Sequence, residues 1–224
     1  MEKKHIICFG DSNTHGYCAE TDGRFDENTR WTCLLQAKLG DEYLILEEGL
    51  GGRTTCFDDP THEGLRGLDY ISPCLQTHEP VDLLIIMLGT NDTKERFGCS
   101  AESLGNCMKR LILKAASTPY CWRRAEPNIL IVTPKNIGME YEETPAASTM
   151  GKGCSEKSAG LSHWYRLIAG QTGCHYFDAN TVVSENTPKD FIHLSKKGHA
   201  ELANALAGFI PVSYTHLTLP TTPY

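Results

Sequence analysis

The sequence predicts an α/β protein: a three-layer α/β/α sandwich around a central, mostly parallel, five-stranded sheet. Three observations carry this. Short apolar runs alternate with longer amphipathic ones along the 224 residues, which is the β-α-β order repeated. The clearest run, Leu83-Leu84-Ile85-Ile86-Met87-Leu88, is apolar at every position, as a strand covered on both faces must be. A composition of 40% hydrophobic and 22% charged residues is that of a globular domain and excludes disordered or fibrous chains.

In order, residues 5–9 run straight into Gly10 and read as the first buried strand. Residues 28–39 read as a helix, with Trp31, Leu34, Leu35 and Leu39 at helical spacing, Asn28 as cap and Gly40 as stop. Residues 43–46 are the second strand and 83–88 the third; 101–116 form a helix. Residues 128–132 are the fourth strand, closed by Thr133-Pro134. A helix over 158–170, a short strand at Tyr176-Phe177 and a last helix over 195–209 complete the set. In such sheets the chemistry sits in loops at the carboxyl ends of strands. Those loops are residues 10–16, 47–55, 89–93, 133–138 and the segment from Asp178 onward. Residues 137–157 are polar, weakly periodic and rich in Gly, Glu and Ser, and read as a mobile flap over a site.

The length fits one domain over residues 1–210. Residues 211–224 hold no Asp, Glu, Lys or Arg and resemble the translation of a sequencing-library adapter, so they are read as a non-native or disordered tail. A net charge of −7 and a pI near 5.7 argue against a nucleic-acid partner. No apolar run approaches the ~20 residues of a membrane span. Met1-Glu2-Lys3-Lys4 leads straight into a strand rather than into the apolar stretch of a signal peptide. The expectation is a cytoplasmic protein with no membrane partner; a homo-oligomer is compatible with it. None of the ten cysteines forms a C-x-x-C pair, so free thiols are expected in a reducing compartment, with Cys8 and Cys33 acting as small hydrophobes.

Four short blocks lie at the predicted strand ends. Gly10-Asp11-Ser12-Asn13 places a serine on a sharp turn, where it is exposed and held, and where backbone N–H groups can stabilise an anion. Such residues also populate ordinary turns. Asp190-Phe191-Ile192-His193 offers a base with its own acceptor three residues away, which is what a serine hydroxyl needs to become a nucleophile. Gly89-Thr90-Asn91-Asp92 can aim the Asn91 amide above the sheet, and Gly51-Gly52 can bring a backbone N–H close to a ligand. Two such donors together with the Ser12 N–H would make an oxyanion hole. His62-Glu63 and His78-Glu79 lack the second histidine of a zinc helix and read as loop residues, so no metal site and no cofactor is expected. Asp11 is taken as a structural hydrogen bonder. Asp11, Asn13, His15, Trp31 and Arg53 are candidates for the substrate pocket.

Together and in this order the four blocks resemble those of the SGNH (GDSL) hydrolases, over about residues 5–209. Arg30-Trp31-Thr32, Glu47-Glu48-Gly49-Leu50, Arg53-Thr54-Thr55 and the run from Ile85 to Lys94 are similar to the arylesterase and acyltransferase branch. The resemblance implies a flavodoxin-like sandwich with Ser12 as nucleophile, His193 as base and Asp190 as its orienter. It also implies an oxyanion hole from the Ser12 and Gly52 N–H groups and the Asn91 side chain. In acyltransferase members the residue three past the serine is commonly Trp; here it is His15, which weighs against transfer to alcohols. The expected activity is hydrolysis of small, acetyl-like esters, with carbohydrate deacetylation as one form. Lysophospholipase, thioesterase and acyltransferase activity are the alternatives within the family. A flavodoxin-like phosphate- or cofactor-binding module is the alternative outside it, and such a module has no use for Asp190-x-x-His193.

Overall fold

The computed structural model describes residues 2–216, with side chains for residues 2–210. Its centre is a five-stranded, wholly parallel sheet in the order β4-β1-β5-β6-β7, formed by β1 (Lys4–Gly10), β4 (Tyr43–Gly49), β5 (Leu83–Met87), β6 (Ile129–Thr133) and β7 (His175–Asp178). The predicted sheet is therefore present, with β4 reaching three residues further than its apolar run, through Glu47 and Glu48 to Gly49.

Strand alternation assigns the core. Ile6 and Cys8 of β1, with Leu83, Ile85 and Met87 of β5, pack with Trp31 and Leu35 of α2 (Trp31–Leu39) and Leu202 and Leu206 of α7 (Lys196–His216). Ile7 and Phe9, with Leu84 and Ile86, face the other way. They pack against α3 (Gly67–Thr77), α4 (Ala101–Ala116) and α6 (Cys154–Thr172). The strands read as continuous apolar runs because both faces are covered. Each fully buried Leu or Ile contributes about 1.5–3 kcal/mol.

Several boundaries differ from the sequence reading. Helix α2 starts at Trp31 rather than Asn28, because the Thr29 and Arg30 N–H groups fold back onto the Asp26 carbonyl in a separate turn. Helix α3 went unread: Arg66 gives it no side-chain cap, and Pro73 within it disguises the pattern. A small antiparallel pair, β2 (Tyr17–Cys18) with β3 (Gly23–Arg24), also went unread. Ser195 does cap α7, accepting the Gly198 N–H at 3.1 Å. The backbone of α7 continues to His216, into the stretch assigned to a tail; the rest of that stretch, 217–224, lies outside the described residues. All ten cysteines are free. Among the described residues, no helix is long and apolar enough to cross a membrane.

Residues 137–157 form a tethered wall. They contain a 3-10 turn at Met139–Glu143, helix α5 (Ala147–Met150) and the start of α6. Ile137, Tyr141, Met150 and Cys154 make a small core of their own with Ile192. The Tyr141 hydroxyl donates to the Gly151 carbonyl at 2.7 Å, and Arg96 reaches the Thr149 carbonyl at 2.7 Å.

Candidate active site

Strand β1 delivers the chain to α1 (Ser12–His15), a single helical turn. Asp11 caps it by accepting the Asn13 N–H at 2.9 Å. The Ser12 N–H, at the start of the turn, is not used by the helix ladder. The turn seats directly on the end of β4: a Cβ on Gly49 would lie 2.1 Å from the His15 nitrogen, so only glycine permits this approach.

The second block comes from the loop before α7. The Ser12 hydroxyl lies 2.9 Å from His193 Nε2, and His193 Nδ1 lies 2.5 Å from Asp190 Oδ2. A carboxylate only accepts, so Nδ1 carries the proton and Nε2 is free to accept from the serine. The other Asp190 oxygen accepts the Ile192 and His193 backbone N–H groups at 2.9 and 3.0 Å. Forming so tight a turn forces Phe191 into the left-handed region at φ 58°. Burial alone would raise the Asp190 pKa. The His193 ring and the two N–H bonds outweigh it and hold the carboxyl below its usual range. Asn13 links the two blocks: its buried Oδ1 accepts the Leu194 N–H at 2.8 Å, fixing the His193 turn to the Ser12 turn. The Tyr17 ring rests on the imidazole, with centroids 4.5 Å apart.

The candidate oxyanion donors line the same cavity. Gly52 sits at φ 82°, a conformation that favours glycine, and lines the same cavity as Ser12 and Asn91. Asn91 gives one amide N–H to the Arg53 carbonyl at 3.3 Å, and its amide has a second. Beneath them, Asp92 accepts both the Thr55 N–H, at 2.9 Å, and the Thr55 hydroxyl, tying the Gly52 loop to the Asn91 turn. Burial pushes both Asp92 and Asp11 up to about 6, against the bonds they accept.

These groups open into a cavity of about 540 Å³. Its lining includes the apolar Leu65, Pro145, Met150 and Ile192 and the lysines Lys94 and Lys189. Lys94 is paired with Asp59 at 3.3 Å, and Arg96 shares the same oxygen at 2.6 Å. Burial opposes ionisation of Asp59, but these bonds and those from Thr61 hold its carboxyl far below the usual range.

The five pocket candidates correct the sequence reading, because none lines the cavity. Asp11 and Asn13 are buried beneath the turn as cap and clamp. His15 lies at the far end of α1, half-buried, and so does not stand between Ser12 and solvent. Trp31, the first residue of α2, is fully buried in the core, its backbone N–H donating to His199 Nδ1 at 3.3 Å. Arg53 is buried, donating to the Gly10 and Glu48 carbonyls and stacked 4.2 Å over the Phe9 ring. The sequence also missed Tyr17 and Leu65 as lining residues, for which no local pattern stood out, and Lys94, which closes a run that resembles the branch but was given no role. Pro145 and Met150 lie in the flap segment, which did point to the site.

Residues 8–201 match the GDSL-like Lipase/Acylhydrolase family. No curated protein sequence matches the chain. Among solved structures, the M. smegmatis aryl esterase is 35% identical, with a TM-score of 0.86, covering 93% of this chain and 99% of its own. Est24, a carbohydrate acetylesterase from Sinorhizobium meliloti, is also 35% identical with a TM-score of 0.86, covering 94% of this chain and all of its own. A lipolytic protein of the G-D-S-L family from Veillonella parvula DSM 2008 shares the fold at 18% identity and a TM-score of 0.66. With the family match spanning most of its length and esterases as its structural neighbours, the chain belongs to the GDSL-like lipase/acylhydrolase family and is a carboxylic ester hydrolase.

Proposed function

We propose that the protein hydrolyses esters of small acyl groups through an acyl-enzyme on Ser12. The observation that carries this is the unbroken chain Ser12 Oγ–His193–Asp190 at the edge of the cavity. His193 Nε2 takes the hydroxyl proton as Oγ attacks the ester carbonyl. The carbonyl oxygen, now an anion, receives the N–H groups of Ser12, Gly52 and Asn91. The imidazolium, steadied by Asp190, returns the proton to the departing alcohol, leaving Ser12 acylated. Water, deprotonated by the same nitrogen, then releases the acid. No step calls on a metal.

The cavity is far larger than an acetyl group, so most of it is free for the alcohol part. Leu65, Pro145, Met150 and Ile192 suit an aryl ring or the apolar face of a sugar. The names of the neighbouring enzymes, an aryl esterase and a carbohydrate acetylesterase, support both. The apolar wall gives one specific reason for a second reading, in which it takes a long acyl chain. Hydrolysis of p-nitrophenyl esters of rising chain length, alongside acetylated sugars, separates the two. kcat/KM should peak between acetyl and butyryl; a profile still rising at decanoyl would move the assignment to a lysophospholipase or thioesterase.

A further inference from the structure

Away from the cavity, three side chains with metal-binding atoms meet at the edge of the sheet. Glu48 comes from the end of β4, Cys74 from α3, and His78 caps the C-terminus of that helix. Their ligand atoms all lie within 4.8 Å of one another. His78 Nε2 and Glu48 Oε1 are 2.7 Å apart. The His78 N–H bonds the Cys74 carbonyl, so the thiol and the imidazole sit one helical turn apart on one face. The backbone of Glu48 is held in turn by Arg53, which donates to its carbonyl. Cys74 is fully buried, while the Glu48 and His78 side chains keep 17% and 24% of their surface. None of the three lines the cavity or takes part in the serine chemistry.

We propose that Glu48, Cys74 and His78 bind a divalent zinc-type cation that clamps the end of β4 to the last turn of α3. One thiolate, one imidazole nitrogen and one carboxylate oxygen are a zinc ligand set, leaving a fourth position for water. Glu48 and the thiolate together balance the +2 charge. Binding forms the metal–sulfur bond and releases the thiol proton to solvent, with no change of oxidation state. The sequence concealed the site because its spacing is Cys-x-x-x-His across a helix end rather than a pair of histidines.

Equilibrium dialysis against zinc tests this on the whole protein. Wild type and Ser12→Ala should each bind about one equivalent, and His78→Gln and Cys74→Ala should bind at least about tenfold more weakly. Cobalt substituted for zinc should give a thiolate-to-metal charge-transfer band in the near ultraviolet, absent from Cys74→Ala. Circular dichroism checks folding; should the buried Cys74→Ala not fold, the partly exposed His78→Gln decides. No zinc bound by wild type, unchanged binding in His78→Gln, or binding lost only in His193→Gln, which would place the ion at the triad, each overturns the proposal.

Discussion

The floor and the wall of the cavity are built by different means. The floor consists of loops at the carboxyl edge of the sheet, and its two catalytic turns are set by hydrogen bonds within a few residues: Asp11 to Asn13, and Asp190 to Ile192 and His193. Asn13 then joins the two turns directly. The wall consists of residues 137–157, held by a small separate core and by Arg96, which bridges Asp59 and the Thr149 carbonyl. Chemistry needs positions fixed to fractions of an ångström, which short-range backbone bonds supply. Selectivity needs only shape and apolar surface, which a packed excursion supplies. The comparison teaches that changes to the floor should alter rate and changes to the wall should alter preference.

The largest effect should come from the floor. Ser12→Ala should lower kcat by at least about 10⁴-fold while the fold holds, since the residual rate without a nucleophile comes only from binding and the oxyanion donors. Steady-state hydrolysis of p-nitrophenyl acetate, with circular dichroism as the control, checks this. An active alanine variant would remove Ser12 from the mechanism. Asn91→Ala should cost about 10²–10³ in kcat with little change in KM, as loss of one oxyanion donor does elsewhere. A change confined to KM would make Asn91 a wall residue instead.

The floor was the legible part. Each of its blocks is contiguous, and three of them follow strand ends while the Asp-x-x-His turn stands just before the last helix, a set with few structural reasons to occur in one chain. Pocket membership was not legible. Arg53 and Trp31 belong to runs typical of the branch, yet they serve the scaffold, one stacked on Phe9 and the other buried between α2 and the sheet. Which side of a turn a residue faces depends on packing partners far away in sequence, and no periodicity records it. Helix α3 failed for a related reason: tertiary packing of Leu68, Ile71 and Leu75 overrides the proline in its middle.

A smaller effect should appear in stability. His199 is fully buried behind the site, edge-on to Phe25, with Nε2 unpartnered. Burial, then the charges of His193 and Arg30, lower its pKa to about 4. Above about 6.5 it is neutral in both states and costs nothing; as pH falls from there towards 4, the unfolded chain binds a proton that the native state refuses. Stability should therefore drop across that window, by up to about 3 kcal/mol. Asp11 and Asp92 titrate in the opposite sense. Their folded pKa values are raised, so acidification from 6 towards 4 favours the native state through them. Urea unfolding of wild type and His199→Gln at several pH values isolates the histidine: the acid limb should flatten in the variant, and identical limbs would exclude His199 as its source.

The smallest effect should come from the wall. Met150 lines the cavity and belongs to the small core that holds residues 137–157 in place. Met150→Ala leaves Ser12, His193, Asp190 and the three donors untouched, so turnover of the acetyl ester should change by less than about tenfold. It opens space beside the site, and each further methylene buried there is worth ~0.8 kcal/mol, about a fourfold gain. The quantity to measure is the ratio of kcat/KM for butyryl and acetyl esters within one preparation, because any loss of folded protein cancels in the ratio. A rise by a few-fold per methylene places the acyl chain against Met150. An unchanged ratio, with altered KM for aryl or sugar alcohols, places the alcohol there instead and leaves the acyl group on the floor.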